Sequence, residues 1–130
     1  MIVLDSCAVA DYLVGTRNAA WVESQLRAAT WALHAPHLVD VEVASAFRKL
    51  HRTGVLPARR AKTLLDILTQ FPLTRYPHLQ LLDRIWQLRS HVSAQDASYI
   101  ALAEALDAPL VTTDLRLSRA HGLRIAIVAP

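Results

Sequence analysis

The stretch Ala108-Pro-Leu-Val-Thr-Thr-Asp114 decides the fold: it is an apolar run that ends in an aspartate. The chain opens in the same way, with Met1-Ile-Val-Leu-Asp5. Short apolar runs of this kind are typical of strands buried in a parallel sheet. Because one run lies near each end of the chain, the question is whether Asp5 and Asp114 are helix caps or two parts of one site.

Between these two runs, apolar spacing predicts helices that alternate with short strands. Helices are expected at Val9–Val14, Ala19–Ala29, Leu38–His51, Ala58–Gln70 and His78–Ser90, from the capping residue Ser93 to Leu106, and at Leu115–Ala120. Strands are expected at Ile2–Leu4, Trp31–His34, Leu73–Tyr76, Leu110–Thr112 and Leu123–Val128. This alternation indicates an α/β fold, with helices flanking a central, mostly parallel sheet of about five strands.

The composition limits the classes of protein that this chain can represent. Its 130 residues are expected to form a single domain, and its 53% hydrophobic and 19% charged residues exclude a disordered chain. A lone cysteine, Cys7, excludes an internal disulfide framework and a multi-cysteine zinc site. No signal peptide or membrane span is expected, so the cytoplasm is the expected location. The net charge of +3, with 12 Arg and 2 Lys, only weakly favours an anionic partner.

Four acidic residues are predicted to meet at one edge of the sheet. In a parallel α/β sheet, the strand carboxyl ends and the helix amino ends share an edge, where ligands bind. Asp5 and Asp114 follow strands, whereas Glu42 and Asp96 lie in the first turns of helices. Whether the strands that precede Asp5 and Asp114 are neighbours is left open by this reasoning.

Each of these acids also has a purely structural interpretation. Asp114 is a good helix cap, a helix dipole favours Asp96, and Glu42 is compatible with a solvated first turn. Four converging carboxylates, however, repel one another unless a cation neutralises them. An all-oxygen cluster without Cys or His at ligand spacing suits Mg²⁺ or Mn²⁺. Such a site favours metal-assisted hydrolysis of a phosphodiester.

Three segments resemble the PIN-domain ribonucleases, and specifically the VapC-like toxins of bacterial type II toxin–antitoxin pairs. The segments are MIVLDSCAVADYL (1–13), VEVASAFRKL (41–50) and QDASYIALAEALDAPLVTTDLRL (95–117), and the last is the most specific. The resemblance covers nearly the whole chain. It implies a PIN-like three-layer α/β/α fold and a metal-dependent endoribonuclease.

The resemblance also assigns roles and partners. It implies catalytic and metal-binding roles for Asp5, Glu42, Asp96 and Asp114, with the strands of Asp5 and Asp114 side by side. It further implies an RNA substrate, a small antitoxin that covers the acidic site, and a homodimer within the toxin–antitoxin complex. The chain departs from the family at Cys7, where members often have serine, and a thiol supports carboxylates less well than a hydroxyl.

Basic and hydroxyl residues near the acids are further candidates. Lys49 lies two helical turns after Glu42 on the same face, and Arg52 continues that stripe. Lys49 and Arg52 are expected to contact RNA phosphates, although a solvated basic face explains them equally well. Arg116 is also expected to contact RNA, because it follows Asp114 by two residues and can reach either a substrate phosphate or a neighbouring carboxylate. Residues expected to support the acids indirectly are Ser6, Cys7, Thr112 and Thr113. The tryptophans Trp21, Trp31 and Trp86 are expected in the core, and an exposed one would mark a partner groove.

Two other classes of function remain open: a phosphotransfer domain and a non-catalytic binding module. A haloacid-dehalogenase-like phosphatase needs Asp-x-Asp after the first strand, but Cys7 occupies the second position. A response-regulator receiver needs a lysine near the last strand, and the only lysines are Lys49 and Lys62. Both phosphotransfer functions therefore fit badly. A non-catalytic module that binds RNA or an antitoxin and has a structural acidic edge is distinguished from a nuclease only by an assay with added Mg²⁺ or Mn²⁺.

Overall fold

A five-stranded sheet forms the centre of the protein in the computed structural model, which describes residues 1–130. The strands are β1 (Ile2–Leu4), β2 (Leu33–Pro36), β3 (Leu73–Tyr76), β4 (Leu110–Val111) and β5 (Ile127–Val128). Their order is β3-β2-β1-β4-β5, and every neighbouring pair is parallel. The predicted α/β fold with a parallel sheet is therefore confirmed.

Six α-helices flank the sheet. They are α1 (Ser6–Val14), α2 (Ala19–Ala28), α3 (Leu38–Arg52), α4 (Ala58–Gln70), α5 (Leu82–Gln87) and α6 (Ala94–Leu106). Helices α1 to α4 pack against one another, whereas α5 packs against α6. Short 3₁₀ helices lie at Leu79–Leu81 and Leu117–Arg119. None of the helices has the length and apolar character needed to cross a lipid bilayer.

Several element boundaries differ from those predicted. Helix α1 begins at Ser6 rather than Val9, because the Asp5 side chain caps it directly. The helix predicted at His78–Ser90 is divided into a 3₁₀ turn and the six-residue α5. The last predicted strand is reduced to β5, since its only partner is the two-residue β4. The short helix predicted after Asp114 is a single 3₁₀ turn.

The hydrophobic core is a cluster of 30 buried residues. All three residues of β1 are buried, as expected for a strand covered on both faces. The prediction that the tryptophans lie in the core is wrong for Trp86, which is 68% exposed. Trp31 is 38% exposed and packs edge-on against Tyr12 and Phe71. Only Trp21 packs as a largely covered side chain against the core.

Candidate active site

Strands β1 and β4 are neighbours, which brings their following aspartates to one edge of the sheet. Val3 pairs with Leu110 and Leu4 with Val111. The Asp5 backbone N–H donates to the Val111 carbonyl over 3.0 Å, so the pairing continues to the first acid. This adjacency was expected from the family resemblance and not from the sequence pattern.

Asp5 is a buried carboxylate that also caps a helix. It is 3% exposed, and its Oδ1 accepts from the Cys7 backbone N–H, the N-terminal hydrogen bond of α1. Its Oδ2 accepts a short hydrogen bond from the Thr112 hydroxyl. Burial raises the pKa of Asp5, and hydrogen bonds from Thr112 and Cys7 oppose that rise. The negative charge of Asp96 raises it further, which links these two acids electrostatically.

Glu42 is joined to Asp5 by the Ser6 hydroxyl. Ser6 Oγ lies 2.6 Å from Glu42 Oε2 and 3.2 Å from Asp5 Oδ1. A hydroxyl has one proton, so it donates to only one of these oxygens at a time. The Tyr99 hydroxyl also donates to Glu42 Oε2, over 3.4 Å. Burial is the main cause that raises the pKa of Glu42, and the charges of Asp5 and Asp96 add to it.

Asp96 lies in the first turn of α6, as predicted. The Ser93 hydroxyl accepts from the Asp96 backbone N–H over 3.1 Å, which confirms Ser93 as the capping residue. Burial raises the pKa of the Asp96 carboxyl, and the negative charge of Asp114 raises it further. Asp96 is therefore electrostatically connected to Asp5, Glu42 and Asp114.

Asp114 is paired with an arginine of its own loop. Its Oδ2 accepts from Arg116 Nη2 at 2.7 Å, and its Oδ1 accepts from the Arg116 backbone N–H at 2.8 Å. The Arg116 guanidinium is the main reason why the pKa of Asp114 lies below its usual range. The Asp114 backbone N–H donates to Thr112 Oγ1 at 2.9 Å, and the same hydroxyl donates to Asp5. Both terminal aspartates thus stabilise turns and also belong to one cluster.

The donor set suits a hard divalent cation. Glu42 Oε1 is buried and has no hydrogen-bond partner. An unpaired buried carboxylate oxygen is costly, and a bound cation would satisfy it. Burial is the main cause that raises the pKa values of Asp5, Glu42 and Asp96, and the negative charge of a neighbouring carboxylate adds to each rise. The side chains as they lie do not include a group of three or more His, Cys, Asp or Glu placed to hold a metal ion.

The predicted supporting residues behave differently from one another. Ser6 and Thr112 contact the acids, as described above, whereas the Thr113 side chain makes no hydrogen bond to any of them. Cys7 contributes its backbone N–H to Asp5. Protein atoms around the Cys7 thiol raise its pKa to about 12, and the surrounding carboxylates, Asp5 first, add to this effect. The thiol is therefore uncharged at neutral pH.

The predicted RNA-contacting residues lie at the edge of the cluster. Lys49 is exposed and shares a cavity with Cys7 and Asp114. Arg52 is exposed at the end of α3. Arg116 is exposed, but its guanidinium contacts the Asp114 carboxylate. Sequence reasoning missed the contact of Tyr99 with Glu42, although its position three residues after Asp96 places it on the same side of α6.

Known proteins resemble this chain over most of its length. The PIN domain family model matches residues 2–123. A VapC ribonuclease of Mycobacterium bovis is 47% identical over 118 residues, which cover 91% of this chain and 89% of that relative. Ribonuclease VapC1 of Mycobacterium tuberculosis is 42% identical over 122 residues, which cover 93% and 91%.

Solved structures share the fold at lower sequence identity. VapC20 of Mycobacterium tuberculosis, described as a sarcin–ricin loop cleaving toxin, has a TM-score of 0.69 at 17% identity, with all of both chains covered. A toxin–antitoxin complex from Klebsiella pneumoniae has a TM-score of 0.61 at 19% identity and covers 88% of this chain and 87% of that one. The PIN domain match and the VapC relatives favour a ribonuclease over the two phosphotransfer alternatives. The chain belongs to the PIN-domain family and, within it, to the VapC-like ribonucleases.

Proposed function

We propose that this protein is a Mg²⁺- or Mn²⁺-dependent endoribonuclease that hydrolyses RNA phosphodiester bonds as the toxin of a toxin–antitoxin pair. The observation that carries the proposal is the acidic cluster of Asp5, Glu42, Asp96 and Asp114, in which Glu42 has a buried oxygen without a partner. The ribonuclease names of relatives up to 47% identical support the same activity. The cytoplasm is the proposed location, because cellular RNA is the proposed substrate.

The residues of the cluster are proposed to position the reacting groups. When bound, the cation would supply positive charge that offsets the carboxylates and the charge developing on the phosphate. Ser6 holds Asp5 and Glu42 together, and Thr112 fixes the loop of Asp114 against Asp5. The pairing of Arg116 with Asp114 occupies one carboxylate of the cluster. We infer that Arg116 leaves this carboxylate when RNA binds and contacts a phosphate instead.

The variants Asp5→Asn and Asp114→Asn test whether the two aspartates serve one metal site. Asparagine keeps the size and the capping ability of aspartate but removes its charge. Changes to groups that only support metal ligands cost roughly 10- to 100-fold, so losing a ligand should reduce cleavage by at least about 100-fold. The measurement is RNA cleavage as a function of Mn²⁺ concentration, with EDTA as the metal-free reference.

Two controls separate chemistry from folding in this experiment. Thermal melts in EDTA should show that both variants fold. Asp107→Asn is the matched control, because Asp107 is an exposed residue at the end of α6, outside the cluster. Full activity of either site variant at limiting Mn²⁺ would remove that aspartate from the metal site. No metal-stimulated cleavage by the wild-type protein would favour the non-catalytic binding module.

We propose that a small antitoxin, encoded nearby, covers this site. The proposed groove is lined by the N-terminal helices and α4. A cavity of about 540 Å³ there is bordered by Tyr12 and Leu13 of α1, Ile67 of α4 and Phe71. Ile67 is an exposed apolar residue, which suits the apolar face of a partner segment. An arginine of that segment would pair well with the carboxylates.

Co-expression with the neighbouring reading frame tests this partner. The antitoxin should co-purify with the wild-type chain and relieve its toxicity. Ile67→Asp should reduce co-purification without reducing RNA cleavage, because Ile67 lies outside the acidic cluster. If the neighbouring product neither binds nor protects, the toxin role is wrong while the nuclease activity remains.

We further propose a homodimer formed through a separate apolar face. Three exposed apolar residues lie in the 3₁₀ turn at Leu79–Leu81 and in the following helix α5: Leu79, Leu82 and Trp86. Their spacing places them on one side of this segment. Leu82 and the exposed Val41 of α3 border a common cavity of about 420 Å³. Light scattering should show a dimer for the wild-type protein and a monomer for Leu82→Glu.

A further inference from the structure

A mostly apolar cavity of about 380 Å³ adjoins the acidic cluster beside Cys7 and Asp114. It lies along the seam between two helices: α1 contributes Ala10 and Val14, and α3 contributes Ala46 and Leu50. The alanines leave room between the helices at this level. A single flat group of a few rings fits such a volume.

Part of the lining of this cavity is polar. Lys49, Asp11 and Thr113 contribute to it together with Asp114. The Lys49 ammonium is exposed and forms no ion pair. A mostly apolar lining that also includes an unpaired cation and one member of the acidic cluster suits a ligand that is both flat and anionic.

A second cavity borders the cluster at Asp96 and has the opposite character. It measures about 590 Å³ and is mostly polar, with Arg89, His91 and Arg116 in its lining. Each cavity contains a different aspartate of the cluster, Asp114 in the first and Asp96 in the second. The two cavities therefore border different members of the acidic cluster: one is mostly apolar, and the other, the cationic cavity, is mostly polar with two arginines in its lining.

This asymmetry matches the chemistry of single-stranded RNA. The phosphates and ribose hydroxyls are polar and anionic, and they bind arginine and hydroxyl side chains. The bases have flat, apolar faces that proteins take up from unstacked strands. An extended strand across the acids would present backbone to the cationic cavity and a base to the apolar one.

We propose that the cavity between α1 and α3 holds one nucleobase adjacent to the cleaved phosphodiester and sets the nucleotide preference at that position. This inference rests on the proposed ribonuclease activity and names a specificity site within it. Lys49 then contacts the phosphate of the same nucleotide, and Ala46 and Leu50 contact its base. The room beside Ala46 determines which bases fit.

The first test uses wild-type protein and synthetic RNA. Cleavage of a randomised RNA pool identifies a preferred sequence, which is then synthesised with each base near the cut replaced, one at a time, by an abasic ribose. One abasic position should slow cleavage about tenfold, the effect of losing roughly 1.4 kcal/mol of base contact. Equal rates for the intact and all abasic RNAs would overturn the proposal while leaving the ribonuclease activity intact.

The second test uses Ala46→Leu, which fills the cavity. This variant should cleave the intact RNA about as slowly as the wild-type protein cleaves the critical abasic RNA, an order-of-magnitude loss. It should also no longer distinguish the intact from the abasic substrate. Ala105→Leu is the matched control, because Ala105 is an exposed alanine on α6, and it should retain the wild-type preference.

Two further outcomes separate the possible occupants of the cavity. If Ala46→Leu does not fold, Leu50→Ala enlarges the same cavity and should change the nucleotide frequencies beside the cut in the randomised pool. If both variants keep the wild-type preference but lose antitoxin binding, the cavity takes a protein side chain and the nucleobase proposal is wrong. If the wild-type protein cleaves no RNA at all, the proposed function itself fails.

Discussion

Two hydroxyl groups organise the acidic cluster. Ser6 lies between Asp5 and Glu42, and Thr112 lies between Asp5 and the Asp114 backbone. Each hydroxyl has a single proton and donates it to one carboxylate at a time. The orientation of each hydroxyl therefore affects the groups on both sides of it. At the scale of the residue, the geometry of the carboxylates therefore depends on side chains that are not acids.

Replacing Ser6 with alanine should weaken metal-dependent activity without unfolding the protein. The loss of the hydroxyl frees Glu42 from Asp5, and changes to groups that orient metal ligands typically cost roughly 10- to 100-fold. The Mn²⁺ concentration for half-maximal cleavage should rise by a similar factor. Ser45→Ala is the control, because Ser45 is an exposed serine of α3. An unchanged Mn²⁺ requirement would show that Ser6 does not position the acids.

Residue-level expectations were most specific where backbone position decides where a side chain lies. Asp5, Glu42, Asp96 and Asp114 were predicted to converge because strand and helix ends fix where they lie. The pairing of Arg116 with Asp114 was only one of two possibilities, since a side chain this long reaches several partners. The contact between Tyr99 and Glu42 was not predicted, because it depends on how α6 packs against α3.

Helix α3 connects the acidic cluster to the proposed RNA path. Glu42 lies near its amino end, and Lys49 lies seven residues later, roughly 10 Å along the axis. Arg52 is the last residue of the helix. The helix thus carries an acid at the site and two exposed cations that point away along one stripe.

Lys49→Ala combined with Arg52→Ala should weaken RNA binding and reduce its salt dependence. Each lost phosphate contact lowers the slope of log K against log salt by about 0.7 for single strands. Metal binding should be unchanged. Arg60→Ala with Lys62→Ala on α4 is the control with the same change in net charge. An unchanged affinity and slope in the Lys49 and Arg52 variant would place both residues on a solvated face.

Elements with strong periodicity were predicted well, and elements fixed by tertiary contacts were not. The bounds of α4 were predicted to the residue, and those of α3 to within one residue. The start of α1 was missed because Asp5 ends a strand and caps a helix with no loop between them. The His78–Ser90 helix was overestimated: the segment is a 3₁₀ turn followed by the six-residue α5, although Leu81, Ile85 and Leu88 do provide a core-facing side.

The acidic cluster affects the folding stability of the whole molecule. Burial raises the pKa of Asp5, Glu42 and Asp96, so these groups bind protons more tightly in the folded state than in the unfolded one. Without a cation, their ionisation opposes folding. Arg116 lowers the pKa of Asp114, which has the opposite effect on stability. The strand order that creates this cluster came from the family resemblance, because apolar patterns do not specify which strands pair.

The metal-free protein should gain stability as the pH falls from 7 towards about 5. A raised folded-state pKa contributes stability that is complete below the unfolded pKa, about 4 for Asp and Glu, and is lost as the pH rises through the folded value. The pKa of Asp114 is lowered, so the stability that Asp114 contributes is lost only when the pH falls through its folded-state pKa. That loss occurs below about pH 5 and does not affect the comparison between pH 7 and pH 5. The measurement is the melting temperature in EDTA at both pH values.

Asp5→Asn serves as the comparison for this prediction. It removes one raised group, so it should be at least as stable as the wild type in EDTA at pH 7, and its melting temperature should rise less on acidification. His34, whose pKa is lowered by burial, is present in both proteins, so its contribution cancels in the difference. Equal pH responses of the two proteins would contradict the assignment of Asp5 as a buried carboxylate with a raised pKa.

The hydrogen bond between Thr112 and Asp5 joins residues that are 107 positions apart. During synthesis, β1 emerges from the ribosome first, but its partner β4 follows only after most of the chain has been made. Closing a loop of this length has an entropic cost that the β1–β4 pairing must overcome. A nascent or truncated chain that ends before Thr112 therefore lacks an assembled acidic cluster, so the proposed nuclease activity can arise only after β4 and the residues that follow it have been made.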